Sequence, residues 1–528
     1  MANKTLFRNL LGKRLAAADT INEAGGAAYR FDPKHALAQF AATGCLNGTF
    51  YATAEAQLDK VLALVNRVDP EFIARAALYA RRVGYMKDLP ALLTASLSLR
   101  GPGLMAEVFD RVIDSPKMLR NYVQIMRSGV VGRRSLGTLP KRLVRQWIEK
   151  RTDAQLFAGS IGNDPSLADI IRMVHPKPAT AQREALFGYL VGRDHDAAAL
   201  PEIVKQFEKF KQAGNRRSID VPDVPFQMLT GLDLSPREWK MIARNAPWQT
   251  TRMNLNTFLR HGVFQDRGMV RALAARLHDA RKIAKARVFP YQLMAAYMNT
   301  SCDLPDLLRD ALQAAMEIAI ENVPAVDGKV YVFPDVSASM LSPVTGHRRG
   351  ATTAVRCVDV AALVAAAMLR KNPDAEVIPF ESDVVLSRKR RLNPRDSVMT
   401  NASKLASLAG GGTACSAPLR YLNRLGAQGD LVIYVSDNES WMDAPWQSHW
   451  GRCATRTAAE WARFKRRNPR AKMICIDIQP YDTTQVKERD DVINVAGFSD
   501  QVFRLIDAVA RGGAKAGHWV RQIEAQTI

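Results

Sequence analysis

KVYVFPDVSASM, Lys329 to Met340, is the stretch whose reading decides the fold. A short apolar run, Val330 to Phe333, ends at Pro334, and Asp335, Ser337 and Ser339 follow at alternate positions, as a buried strand running out into a loop would set them. One carboxylate and two hydroxyls at a strand end are hard oxygen donors suited to a divalent ion, Mg²⁺ first, with Ca²⁺ or Mn²⁺ as alternatives. Two further donors fit if this is the first strand of an open α/β sheet: Thr413 after Gly410-Gly411-Gly412, and Asp437 just past the apolar strand Leu431 to Val435. The same three residues also suit a plain turn whose hydroxyls satisfy backbone groups. The glycine run lacks the G-x-x-x-x-G-K-[ST] pattern, so a nucleotide-binding P-loop is not expected.

D-x-S-x-S at Asp335 to Ser339, Gly411-Gly412-Thr413 and the strand-terminal Asp437 together resemble the metal-ion-dependent adhesion site of a von Willebrand factor type A domain. Upstream, LADIIRMVHPKP (Leu167 to Pro178), WKMIARN (Trp239 to Asn245) and RVFPY (Arg287 to Tyr291) resemble the helical RNA-binding module of the Ro ribonucleoprotein autoantigen (TROVE) family. The resemblance covers nearly the whole chain in the same order. It implies an all-α, HEAT-like helical-repeat ring with a basic central hole over residues 1–325, and a doubly wound α/β type A domain over 326–528.

Composition supports a division of this kind. At 528 residues and 47% hydrophobic, the chain can bury more than one core. The formal charge is +22, and residues 1–325 hold 46 Lys and Arg against 31 Asp and Glu, compared with 28 against 21 beyond. The excess therefore sits mainly in the first part and points to a polyanionic partner, although solubility alone also favours net charge. Six cysteines (Cys45, Cys302, Cys357, Cys415, Cys453, Cys475) show no C-x-x-C pair and read as reduced, small buried residues. The longest apolar run, Val360 to Leu369, falls well short of the roughly 20 residues of a membrane span. With no signal-peptide pattern at the N-terminus, a cytoplasmic protein is expected.

From about Ala54 to Asn322 the periodicity predicts successive amphipathic helices, among them 55–65, 70–83, 89–99, 141–150, 202–211 and 304–320, with caps expected at Asp69-Pro70, Asp164-Pro165 and Ser235-Pro236. Positive charge concentrates in two segments. Arg111 to Arg151 carries eleven Lys and Arg against Asp114 and Glu149; Arg237 to Arg287 carries twelve against Glu238, Asp266 and Asp279. Both alternate with apolar helix positions, which places the charges on folded faces able to hold phosphates at fixed spacing. Arg133, Arg134, Lys141, Arg142 and Arg145 form the tightest group, around the loop 132–140. Trp147, His175, Trp239, Trp248 and His261 are candidates for stacking on unpaired bases, but a Trp at helical spacing more often fills a core. Beyond Pro324 the pattern changes to alternating strands and helices, with strands expected at 375–380, 430–435, 471–478 and 492–495 and helices at 351–370, 413–425, 453–466 and 502–510.

The resemblance implies that Arg172 and His175 contact Y RNA, the small noncoding RNA these proteins carry, and adds Arg244 and Arg287 to the candidate RNA-binding residues. Two basic residues that the family carries upstream of that histidine fall here at Ala158 and Gly162. The expected function is a noncatalytic, monomeric RNA-binding ring of a Ro ribonucleoprotein. It would hold Y-type RNA and the single-stranded 3′ ends of misfolded or structured noncoding RNA, with an exoribonuclease such as polynucleotide phosphorylase as partner by resemblance to bacterial members. A scaffold binding a partner carboxylate through the type A domain is the alternative. A metal-dependent nuclease ranks last, since the donors supply one ion and no second carboxylate set.

Overall fold

A computed structural model describes residues 15–43, 46–286, 288, 290–321, 323–347, 355–386, 392–443, 453–497, 500–513 and 515–528. Arg287, Cys45 and the first fourteen residues lie outside the described residues, as does the start of the helix expected over 351–370.

Between Ala54 and Ala319 every regular element among the described residues is helical. The helices start where side chains can satisfy their free N–H groups: Asp69 accepts from Phe72 N, Ser115 from Met118 N, and Ser235 forms a reciprocal box with Glu238. The expected cap at Asp164 is displaced. That bond to Pro165 is cis, and the helix begins at Leu167 with Ser166 as its cap. Successive helices pack as neighbours, Pro70–Arg82 on Asp88–Arg100, then Pro102–Val112 and Pro116–Ser128, then Leu167–Val174 and Ala181–Val191. This is the stacked helical-pair arrangement expected.

The second part is a five-stranded, wholly parallel sheet in the order Glu376–Val377, Val330–Pro334, Leu431–Ser436, Lys472–Asp477, Val492–Ala496. The middle strands are buried along their full length, as strands covered by helices on both faces must be. From Val330–Pro334 the chain turns to one side for Glu376–Val377 and then crosses to the other for Leu431–Ser436. The switch point of the sheet therefore lies between the strands that carry Asp335 and Asp437, where open α/β sheets bind ligands.

The sequence division at 325/326 does not describe the N-terminal segment. Thr20–Ile21 and Ala27–Arg30 form a small antiparallel sheet with Thr483–Thr484, and helix Pro33–Thr43 packs on strand Val492–Ala496. Short strands of two to four residues carry too little alternation to be read from sequence. In return, the C-terminal helix His518–Glu524 packs on Pro70–Arg82, with Trp519 edge-on to Tyr79 at 5.5 Å. At the far end, helices Pro290–Met298 and Asp306–Ala319 lie against Cys357–Lys371 and Val398–Ala406. Both ends of the helical series thus rest on the α/β domain, which closes the circuit.

That closure is testable at Trp519, which is buried against Tyr79. Trp519→Ala should cost about 3–5 kcal/mol. Hydrogen exchange should rise in Pro33–Thr43 and Pro70–Arg82 and stay unchanged in Leu431–Ser436.

Candidate metal centre and nucleic-acid interface

The parallel register pairs Pro334 with Val435, so the residues that follow, Asp335 and Ser436, emerge side by side. Asp335 accepts from its own loop, Ser337 N at 2.8 Å, and from the neighbouring strand, Ser436 Oγ at 2.5 Å. Ser337 Oγ and Ser339 Oγ lie 3.3 Å apart, and Asp437 accepts from Glu439 N at 3.2 Å. Thr413 is brought in by the glycine run: Gly410 N donates to Val336 O at 2.8 Å and Ala338 N to Gly411 O at 3.1 Å. Gly411 has φ +73, and a Cβ there would collide with the Glu381 carboxylate, so this position requires glycine. Past Thr413, Ser416 is tied to Asp443 by Oγ to Oδ1 at 2.5 Å, and the Trp441 and Met442 N–H groups donate to Thr413 O at 3.2 and 3.0 Å. The helix expected from Thr413 begins only at Ala417, because the preceding residues are held in this loop.

All five expected donors, Asp335, Ser337, Ser339, Thr413 and Asp437, are buried at this one strand-end site. Its electrostatics disfavour two ionised carboxylates side by side. Burial, and then the nearby Asp437, push the Asp335 carboxyl up to about 7, and burial raises Asp437 as well. Asp437 Oδ2 and Glu439 Oε1 are buried without a hydrogen-bond partner. Among the described residues no three His, Cys, Asp or Glu side chains gather into a metal cluster. The donor set is therefore two carboxylates and three hydroxyls, which fits a hard divalent ion that keeps part of its water, and the five residues named are those that would hold it.

The basic face is built on a short loop. Gly137 has φ +72, and a Cβ on it would come 2.8 Å from Arg133 Nη1; the guanidinium lies over the bare glycine and donates to Ser98 O at 3.1 Å. Arg134 and Arg142 are exposed, while Arg133, Lys141 and Arg145 are half-buried. Arg145 Nε donates to Val174 O at 3.0 Å, which joins this loop and helix to His175, exposed in the left-handed C-cap position of Leu167–Val174 with φ 48. Arg172 pairs with Asp169 at 3.2 Å and donates to Val191 O, so part of its guanidinium caps the next helix. Among the described residues Arg133, Arg134, Lys141, Arg142, Arg145 and Arg244 have no acidic partner within ion-pair distance, and Arg244 is exposed on the helix Pro236–Asn245.

The sequence reading missed Arg120. From helix Pro116–Ser128 its guanidinium packs directly on Gly162, where a Cβ would meet Nη2 at 2.6 Å, and its Nη1 has no hydrogen-bond partner. A cation thus stands where a side chain at position 162 would, which no linear alignment of the segment could reveal. Trp147, Trp239 and Trp248 fill the core, the reading that their helical spacing favoured over stacking. The Trp147 indole donates to Ile113 O and that of Trp248 to Leu277 O at 3.0 Å. His261 is stacked on Trp239, with ring centroids 4.1 Å apart. A lone Trp on an apolar helix face is first of all volume for the core.

Residues 329–510 match the sequence model of the Ro60 vWA domain. The RNA-binding protein RO60 of Deinococcus radiodurans is 24% identical over 540 aligned residues, covering 95% of this chain and 97% of that protein. The chain is thus similar to a Ro protein over nearly its whole length. The crystal structure of the Deinococcus radiodurans RO (RSR) protein superposes with a TM-score of 0.61 at 21% identity, over 92% of this chain and all of that one, so the Ro-like fold extends through both parts. No described helix is long and apolar enough to cross a membrane, and none of the five described cysteines is in a disulfide.

Without an ion, burial and the nearby Asp437 keep the Asp335 carboxyl protonated to higher pH in the fold than in the unfolded chain. The folded state binds that proton more tightly than the unfolded chain, so the associated stability is complete in acid and is lost as pH rises through 7. Metal-free wild type should therefore fall in melting temperature relative to Asp335→Asn as the pH rises from about 5 to about 7.5. Scanning calorimetry of both proteins in chelator checks this, and Asp335→Asn should also take up no Mg²⁺ in a titration.

Proposed function

We propose that this protein is a noncatalytic RNA-binding component of a Ro ribonucleoprotein. In this reading it holds a Y-type small RNA on its helical face and the single-stranded 3′ ends of misfolded or structured noncoding RNA, in RNA quality control, processing or decay. The observation that carries the reading is the run of basic side chains from Arg133 to Arg145, on a loop and the helix that follows it, tied by Arg145 to the segment of His175 and without acidic partners among the described residues. Charges fixed in this way bind phosphates with little ordering cost. The curated relative is itself named an RNA-binding protein. Mg²⁺ in the cage, a cytoplasmic setting, a monomeric ring and an exoribonuclease such as polynucleotide phosphorylase as partner belong to the same proposal. The noncatalytic assignment rests on the donor set, since a two-metal phosphodiester cleavage needs more carboxylates than Asp335 and Asp437 supply.

A second reading, a scaffold that binds a partner through the cage, is favoured by the exposed Trp441 and Met442, whose side chains border Gly412 at its mouth. The two readings are compatible, because the basic face and the cage lie in different parts of the chain.

Replacing Arg133, Arg134, Lys141 and Arg142 together by Ala should weaken RNA binding and flatten its salt dependence, by roughly 0.7 in logarithmic slope for each single-strand phosphate that the variant no longer neutralises. An RNA with an unpaired 3′ end should bind better than the same RNA with that end paired. Filter binding of both RNAs across a salt series reads both effects. A slope unchanged in the quadruple variant would move the RNA site elsewhere.

A further inference from the structure

Residues 46–53 connect helix Pro33–Thr43, on the α/β side, to helix Ala54–Arg67, which opens the helical series, and they are fastened across the cage end of the sheet. Asn47 Nδ2 donates to Thr345 O at 2.7 Å, and His347 N donates to Gly48 O at 2.7 Å. The Tyr481 hydroxyl donates to Thr49 Oγ1 at 3.0 Å, and Gln57, in the first turns of the following helix, reaches the same oxygen at 3.4 Å. Thr53 caps that helix by accepting from Ala56 N at 3.2 Å. The segment is therefore a strap, held at several points and continuous with a helix start.

Tyr51 is the residue the strap presents to the cage. Its ring meets Phe50 at 4.8 Å and Tyr481 at 6.4 Å, both edge-on, and its hydroxyl faces Ser339 with Asp437, Glu439 and Asp335 around it. Phe50 beside it is 52% exposed, which leaves the strap with little burial of its own on that side. A cation held by two carboxylates and three hydroxyls keeps open positions for ligands from outside. Tyr51 is placed on the approach to them.

We propose that Tyr51 is an internal occupant of the open side of the cage, so that a carboxylate from outside reaches a bound cation only by lifting the strap Asn47–Thr53 away. Lifting it breaks the bonds at Asn47, Gly48 and Thr49 and loosens the Thr53 cap, which transmits cage occupancy to the first helix of the circuit. The inference rests on the reading of the cage as a cation site.

The test uses the full chain saturated with Mg²⁺ and titrated with acetate, read by calorimetry and by hydrogen exchange over 47–57. If the strap is lifted in a minority of molecules, wild-type affinity is reduced by that fraction, and Tyr51→Ala should bind acetate at least about threefold tighter. Acetate should speed exchange across 47–57 in wild type and have no such effect in Tyr51→Ala, where exchange is already fast. Tyr51→Phe, which keeps the ring packing, should fall between the two. Equal acetate affinity in wild type and Tyr51→Ala, with Mg²⁺ bound by both, would overturn the strap proposal and leave the cation site standing. Failure of wild type to take up Mg²⁺ would overturn the cation reading itself, and the strap proposal with it.

Discussion

The pairing of Val330–Pro334 with Leu431–Ser436 is the constraint from which the top of the α/β domain follows. Parallel register brings two strand ends out together, and each delivers a carboxylate into a space without water-exposed surface. Two such groups repel each other and lose hydration, so the surrounding backbone turns N–H groups and hydroxyls toward them. Even with these, a buried oxygen of Asp437 stays without a partner. The acidity extends outward to Glu439 and Asp477, both held well above the usual carboxylate range by burial, with Asp437 adding to it. Elements from the start of the chain meet this cluster: Ala24 N donates to Glu439 at 3.0 Å and Gln39 Nε2 to Asp477 at 3.0 Å. The N-terminal segment therefore packs on the α/β domain for a polar reason as well as an apolar one.

The helical part has the opposite electrostatic character. Its cores are apolar and closely packed, its charges are mostly basic, and several of its arginines spend part of their hydrogen-bonding capacity on the carbonyl ends of helices, as Arg145 does at Val174 and Arg133 at Ser98. Such use fixes the side chain without neutralising it. A guanidinium that caps a helix through one nitrogen still offers its remaining edge to a phosphate, and its position is set before the ligand arrives. The same molecule thus carries a preorganised cationic surface and an anionic cage, joined by the strap and by the helices that close the circuit.

Much of this was legible in the sequence because its signals are local. Helices such as Pro70–Arg82 and Glu202–Gln212 lie within a few residues of their apolar periodicity, and the cage donors sit at fixed offsets from strand ends. What escaped is nonlocal. The two-residue strand at Thr483–Thr484 exists through its partner Tyr29–Arg30, some 450 residues away in the chain. Helix His518–Glu524 is short, and its role depends on Tyr79. Arg120 reaches Gly162 from another helix.

The most direct measurement of the central claim is ultraviolet crosslinking of a bound single-stranded RNA to the intact protein, with the modified peptides identified by mass spectrometry. The account predicts crosslinks in peptides from the loop and helix Gly129–Glu149 and from the segment around His175. Crosslinks confined to the α/β domain, with the helical peptides unmodified, would contradict it.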